Sequence, residues 1–159
     1  MALVTTAGSA TADSYVSLVE ATAYASAMGL AWTGSDTVKE AALRRATQYV
    51  DRYYRFRGEK AEATQALQWP RTSASLDGYD LDSDVIPRPV KDAVCELASR
   101  GLSGALYADV DASVITEETV GPMTLKYDVR ASGQKRFALV DDLLAGLIAS
   151  RSQIAIVRA

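Results

Sequence analysis

Across residues 37–56, Val38, Ala42, Ala46, Tyr49, Val50 and Tyr53 recur at three- and four-residue spacing, the period of one buried face of an α-helix. Such a face is unstable in water alone, so the rest of the chain must supply elements that cover it. Two other stretches carry the same period. Pro87 and Pro89 pre-set a helix over about 88–104, with Val90, Val94, Leu97, Ala98 and Leu102 as its stripe and Cys95 beside it as a small packing residue. Phe137, Val140, Leu143, Leu144, Leu147 and Ile148 predict another over about 135–149. Nearer the start, Ser17-Leu18-Val19-Glu20 has capping-box form and opens a helix over about 18–28. Tyr15, Leu18, Val19 and Ala23 are its expected apolar contacts, and Gly29 is its left-handed stop. The expected fold is mainly α: a small four-helix bundle with one β-hairpin insertion and extended termini.

The segments between these helices read differently. Trp32 sits in a turn and is expected to plug the gap between the first two helices. Residues 57–86 read as mostly loop, with a weak helical turn at 61–67, a Trp69-Pro70-Arg71 element and an acidic, turn-rich run from Asp77 to Asp84. The stretches Val114–Val120 and Met123–Asp128 are rich in β-formers and predict a hairpin over about 113–128, its tip at Gly121 and Pro122. The domain reading is a flexible N-terminal arm (1–12), a helical domain (13–149) and a C-terminal partner-binding tail (150–159).

Composition narrows the chemistry. A chain of 159 residues, 48% hydrophobic and 23% charged, fits one globular core. No apolar run approaches the roughly 18–20 residues that span a bilayer. The start of the chain lacks secretory-signal character, and Cys95 has no second cysteine to pair with. A protein made in a cytoplasm, without membrane contact, is the expectation. Histidine is absent, which removes Ser-His-Asp and Cys-His catalysis and the commonest transition-metal ligand.

Direct motif tests point the same way. Asp80, Asp82 and Asp84 match the first three ligands of a calcium-binding EF-hand loop. Val85 stands where that loop needs glycine, and Lys91 where it needs a bidentate glutamate. No phosphate-binding glycine motif is present. Glu117-Glu118 and Asp141-Asp142 are sequence neighbours whose side chains diverge on a strand or helix, so neither is a ready acid/base pair. The reading is a non-enzyme without metal or cofactor.

Charge is segregated along the chain. Residues 39–71 hold eight bases against four acids, residues 72–128 eleven acids against four bases, and residues 129–159 five bases against two acids. Such blocks suit contacts with charged partners. Arg44, Arg45, Arg52, Arg55 and Arg57 interleave with Tyr49, Tyr53, Tyr54 and Phe56. That pattern fits phosphate contact with base stacking, and equally a core-facing aromatic stripe whose arginines solvate the outer face. Arg45, Arg52, Arg55 and Arg57 are the candidate inter-subunit or DNA-facing residues. The tail Gln153-Ile154-Ala155-Ile156-Val157-Arg158-Ala159 is apolar and needs a cover, either its own core or another chain to which it adds as a strand.

The order of several elements carries a resemblance. They are Ser14-Tyr15-Val16-Ser17, Gly29-Leu30-Ala31-Trp32, Lys39-Glu40-Ala41-Ala42-Leu43-Arg44-Arg45, Gln68-Trp69-Pro70-Arg71 and Pro87-Arg88-Pro89-Val90-Lys91-Asp92-Ala93. Over about residues 13–148 the chain resembles phage and prophage proteins described as DnaT-like single-stranded-DNA-binding, and is similar to the head–tail adaptor proteins of long-tailed phages. The resemblance implies a structural ring subunit, twelve copies in number, in the virion at the head–tail junction and assembled in the bacterial host cytoplasm. Its partners would be the portal protein, a tail-side connector or tail terminator protein, and itself, with genome DNA passing through the channel without sequence-specific binding. Ile154, Ile156, Val157 and Arg158 are then the expected portal contact. The alternative is a single-stranded-DNA-binding accessory protein using the basic-aromatic second helix.

Overall fold

The computed structural model describes residues 3–107, 117–120, 123–126 and 137–149. Four helices run in chain order as α1 (Leu18–Met28), α2 (Asp36–Tyr53), α3 (Arg88–Ser103) and α4 (Ala138–Leu144). Helix α3 packs against α1, α2 and α4, and α1 also touches α2. The core therefore gathers around α3, whose residues from Ala93 to Ala98 are all buried. Even Glu96 is inside, where Arg100 Nη1 donates to its Oε2 at 2.7 Å and the Tyr24 hydroxyl to its Oε1 at 3.4 Å.

Both ends of α1 are set locally. Ser17 Oγ accepts from the Glu20 amide at 3.2 Å, and Glu20 Oε2 accepts from the Ser17 amide at 2.9 Å. Gly29 closes the helix at φ 65°. The expected buried face of α1 is corrected, however. Val19 is 79% exposed and Ala23 also faces outward, whereas Ala21 and Ala25 face the core. Tyr15 and Val16, in the extended segment before the helix, supply large buried side chains, and of the expected contacts Tyr15 is buried and Leu18 packs partly buried against the core. Trp32 bridges as expected: its Nε1 donates to Thr22 of α1, and Lys39 of α2 lies over its ring.

Helix α2 buries Ala42, Leu43, Ala46, Thr47, Tyr49 and Val50, while Val38 at its start is half exposed. It stops at Tyr53, short of the expected 56, because Tyr54 turns extended and Phe56 bridges Ile148. The Arg57 amide donates to the Leu147 carbonyl at 2.9 Å and the Ala149 amide to the Arg55 carbonyl at 2.8 Å. That antiparallel contact also shortens α4, whose chain passes through a turn at 145–147 into the bridge. Cross-chain pairing outcompetes helical propensity at both places.

Three two-stranded antiparallel sheets complete the description. The expected hairpin is present as β5 (Glu117–Val120) and β6 (Met123–Lys126), with Val120 opposite Met123. Gly121 and Pro122, its expected tip, lie outside the described residues. The other two pairs fall in the stretch read as loop: β1 (Glu59–Lys60) with β2 (Arg71–Thr72), and β3 (Ser75–Leu76) with β4 (Tyr79–Asp80). Asp77 and Gly78 join β3 to β4 with φ of 54° and 86°, the left-handed pair that a tight Asp-Gly hairpin turn requires. The segment expected as an arm is fastened down: Val4 and Asp13 exchange backbone and side-chain hydrogen bonds, and Ala12 is buried.

Candidate functional site

The long loop is held to the end of α2 by the Trp69-Pro70-Arg71 element, which contains a cis Trp69–Pro70 bond. Trp69 is buried edge-on to Phe56 at 5.4 Å, and its Nε1 has no partner among the described residues. Arg71 is 8% exposed, and its guanidinium donates to the carbonyls of Phe56, Arg57, Gly58 and Gln68 and to the Gln68 side-chain oxygen. It is a structural staple, and the basic block loses it as a surface charge. The Tyr15 hydroxyl donates to Asp51 Oδ1 and accepts from the Trp69 amide, while Asp51 Oδ2 accepts from the Gln68 amide at 3.0 Å. Burial pushes the Asp51 carboxyl up to about 6, against the opposing hydrogen bonds from Tyr15 and Gln68.

Beside this network lies an open groove of about 540 Å3. Its lining includes Asp13, Arg44, Arg45, Gln48, Asp51, Arg52, Ala66 and Leu67. Arg44 is committed to Asp13, at 2.6 Å, with Glu40 nearby at 3.8 Å. Arg45, Gln48 and Arg52 follow at three- and four-residue spacing and form one exposed row on α2. Arg45 also borders two smaller hollows, against the Gly101–Tyr107 end of α3 and against Thr37 and Val38. Among the described residues, Arg45, Arg52 and Arg55 have no ion pair.

The other sequence-selected residues disperse. Arg57 Nε donates to the Ile148 carbonyl at 3.1 Å, so this arginine ties the two chain segments together. The interleaved aromatics turn inward: Tyr49, Tyr54 and Phe56 are 0%, 4% and 7% exposed, which removes them as base-stacking platforms. Tyr53 stacks on Tyr49 at 5.0 Å and is half-buried. Tyr54 donates to Asp141 at 2.7 Å, and burial together with that carboxylate holds its hydroxyl well above the ordinary tyrosine range. Sequence reasoning missed Tyr107, 41% exposed and packed on Tyr49 at 4.8 Å, beside the arginine row. Its only local signal was an aromatic just past a helix end. Ile154, Ile156, Val157 and Arg158 lie outside the described residues.

The acidic run forms a second charged feature. Asp77, Asp80, Asp82 and Asp84 are all exposed around the β3–β4 turn, and Tyr79 among them is 79% exposed. Among the described residues, no group of three or more carboxylate or thiol side chains gathers in a way that could hold a metal ion.

These features define a mainly helical domain with an exposed arginine row and a separate acidic hairpin. Over residues 1–159 the chain matches the family described as "Putative DnaT-like ssDNA binding protein", and it belongs to that family. No curated protein and no solved structure matches it.

Proposed function

We propose that the protein is a structural head-to-tail adaptor of a tailed phage, a ring subunit between the portal and the tail components around the DNA channel. The observation that carries this reading is how the domain ends. Leu147 is buried, Ala149 is hydrogen-bonded to Arg55, and the apolar sequence Gln153–Val157 follows. An apolar sequence after such an anchor suits addition as a strand to a partner chain. On this reading the four helices act as one bundle that carries the β5–β6 hairpin and presents Ile154, Ile156, Val157 and Arg158 to the portal protein. Electron micrographs of portal-containing particles test it: a ring of this chain beneath the portal is expected, and particles with filled heads and joined tails that lack the chain would sink the idea.

The second reading, a single-stranded-DNA-binding accessory protein, is favoured by the family's description and by Arg45 and Arg52, which have no ion pair among the described residues. Burial of Tyr49, Tyr54 and Phe56 weighs against it, since the stacking energy of single-strand binders comes from exposed rings. Purified protein that binds short oligonucleotides in a steeply salt-dependent way would favour this second reading. No binding at low salt would exclude it.

A further inference from the structure

We infer that the arginine-lined groove on α2 is a docking site for the acidic β3–β4 hairpin of a second copy of this chain. The inference names the partner surface within the ring reading and rests on that reading.

Arg45 and Arg52 project from one helical face about two turns apart, with Gln48 between them. Neither has an ion-pair partner among the described residues, and Arg44 beside them is already held by Asp13. The groove under them has Ala66 and Leu67 in its wall, so it offers apolar contact as well as charge. The hairpin supplies the complement. Its Asp77-Gly78 turn fixes a narrow tip, Asp77 and Asp80 lie on either side of the 79% exposed Tyr79, and Asp82 follows just past the hairpin. None of its four aspartates has an ion pair within the copy among the described residues. Tyrosine rimmed by charge is the usual composition of an interface anchor.

The two surfaces differ, so a contact between them joins unlike faces of neighbouring copies. Such a head-to-tail contact closes into a ring when its rotation closes, and otherwise extends into a filament. A nucleic acid would meet the same arginines, but Tyr49, Tyr54 and Phe56 are buried and offer its bases no stacking face. A hairpin carrying separated aspartates can place its charges on Arg45 and Arg52 and its ring against Leu67.

The test uses two full-length variants, Arg45→Glu with Arg52→Glu, and Asp80→Arg with Asp82→Arg, in sedimentation velocity at high protein concentration and low salt. All four positions are exposed, so circular dichroism should match the wild type. The wild type is expected to self-associate, and each variant alone to do so at least about tenfold more weakly, because like charges then face each other. Mixing the two variants restores opposite charges at every contact, and association should return. A monomeric wild type, variants that associate normally, or a mixture that stays dissociated overturns the proposal. If the arginine variant instead loses oligonucleotide binding while self-association is unchanged, the groove belongs to a single strand. A portal-bound ring with unaffected variants would refute this pairing and leave the adaptor reading standing. Restored pairing without any such ring would do the reverse.

Discussion

Arg71 connects the carbonyls of Phe56, Arg57, Gly58 and Gln68, residues that no regular ladder serves in full. A lysine there keeps the charge but loses the planar fork, leaving buried acceptors without donors. Arg71→Lys should therefore destabilise by about 2–4 kcal/mol, read from urea midpoints. An unchanged midpoint would contradict the staple. Gly58 is the second test at this scale. Its φ is 75°, and an added Cβ would overlap the Thr72 carbonyl oxygen, whereas Gly29 at φ 65° faces open space. Gly29→Ala should cost about 1–2 kcal/mol and Gly58→Ala clearly more, since only the latter must also displace a strand. Asp51 gives a pH dependence. Its folded carboxyl titrates near 6 and its ordinary value is 3.8, so between those values the native state holds a proton that the unfolded chain has lost. Stability should rise as pH falls from neutral through about 6, and Asp51→Asn should abolish that rise. Glu20 runs the other way. The Lys91 ammonium holds it at about 2, so its contribution is present above 4.5 and disappears as pH falls toward 2. Gly29 was legible as a helix stop, whereas the roles of Arg71 and Asp51 were not legible as a residue type. Arg71 counted as one base in a basic block, and its meaning arises only when the loop folds back over the end of α2.

Elements were legible wherever their signals were local. The limits of α1 follow from Ser17, Glu20 and Gly29, and the start of α3 from its two prolines. The ends of α2 and α4 were not, because residues 55–57 and 147–149 pair across the chain and their helical period continues past the point where pairing takes over. The two-residue strands β1 to β4 are too short to leave a period at all, although Asp77-Gly78 is a hairpin turn signal that alternating flanks would have strengthened. The phase of α1 was misread for a related reason. Tyr15 and Val16, which are large and buried, precede the helix, and within it the small Ala21 and Ala25 face the core in place of Val19 and Ala23. Packing around α3 makes a prediction of its own. Cys95 lies in the buried run of that helix, and desolvation raises its thiol to about 12. A thiol reagent at neutral pH should thus label Cys95 only as fast as the protein opens, with the rate rising in denaturant. Rapid labelling of the native protein would mean that α3 is less enclosed than its contacts indicate.

At the scale of the whole molecule, the candidate surfaces divide into those the domain uses for itself and those it leaves available. Arg44, Arg57 and Arg71 are consumed by folding, through Asp13, the Ile148 carbonyl and the loop carbonyls, while Arg45, Arg52 and Arg55 remain exposed. The charge blocks in the sequence could not make that division, since it depends on which guanidinium meets a chain segment distant in sequence. The same division can be tested at the C-terminus. Among the described residues, the last anchoring contacts are those of Leu147, Ile148 and Ala149 with residues 55–57, and the core cluster includes Leu147 and Ile148. Truncation after Ser150 removes Ile154, Ile156, Val157 and Arg158 but spares every one of these contacts. If the tail serves a partner, the truncated chain should unfold within about 0.5 kcal/mol of the full chain, because nothing in the anchored domain is lost. It should at the same time fail to join portal-containing particles. If the tail instead covers its own core, truncation should lower stability by several kcal/mol, since burying each large aliphatic side chain is worth about 1.5–3 kcal/mol. Urea unfolding and particle co-sedimentation on the same truncated protein separate the two outcomes, and a stable truncated chain that still joined the particles would end the case for the tail as the portal contact.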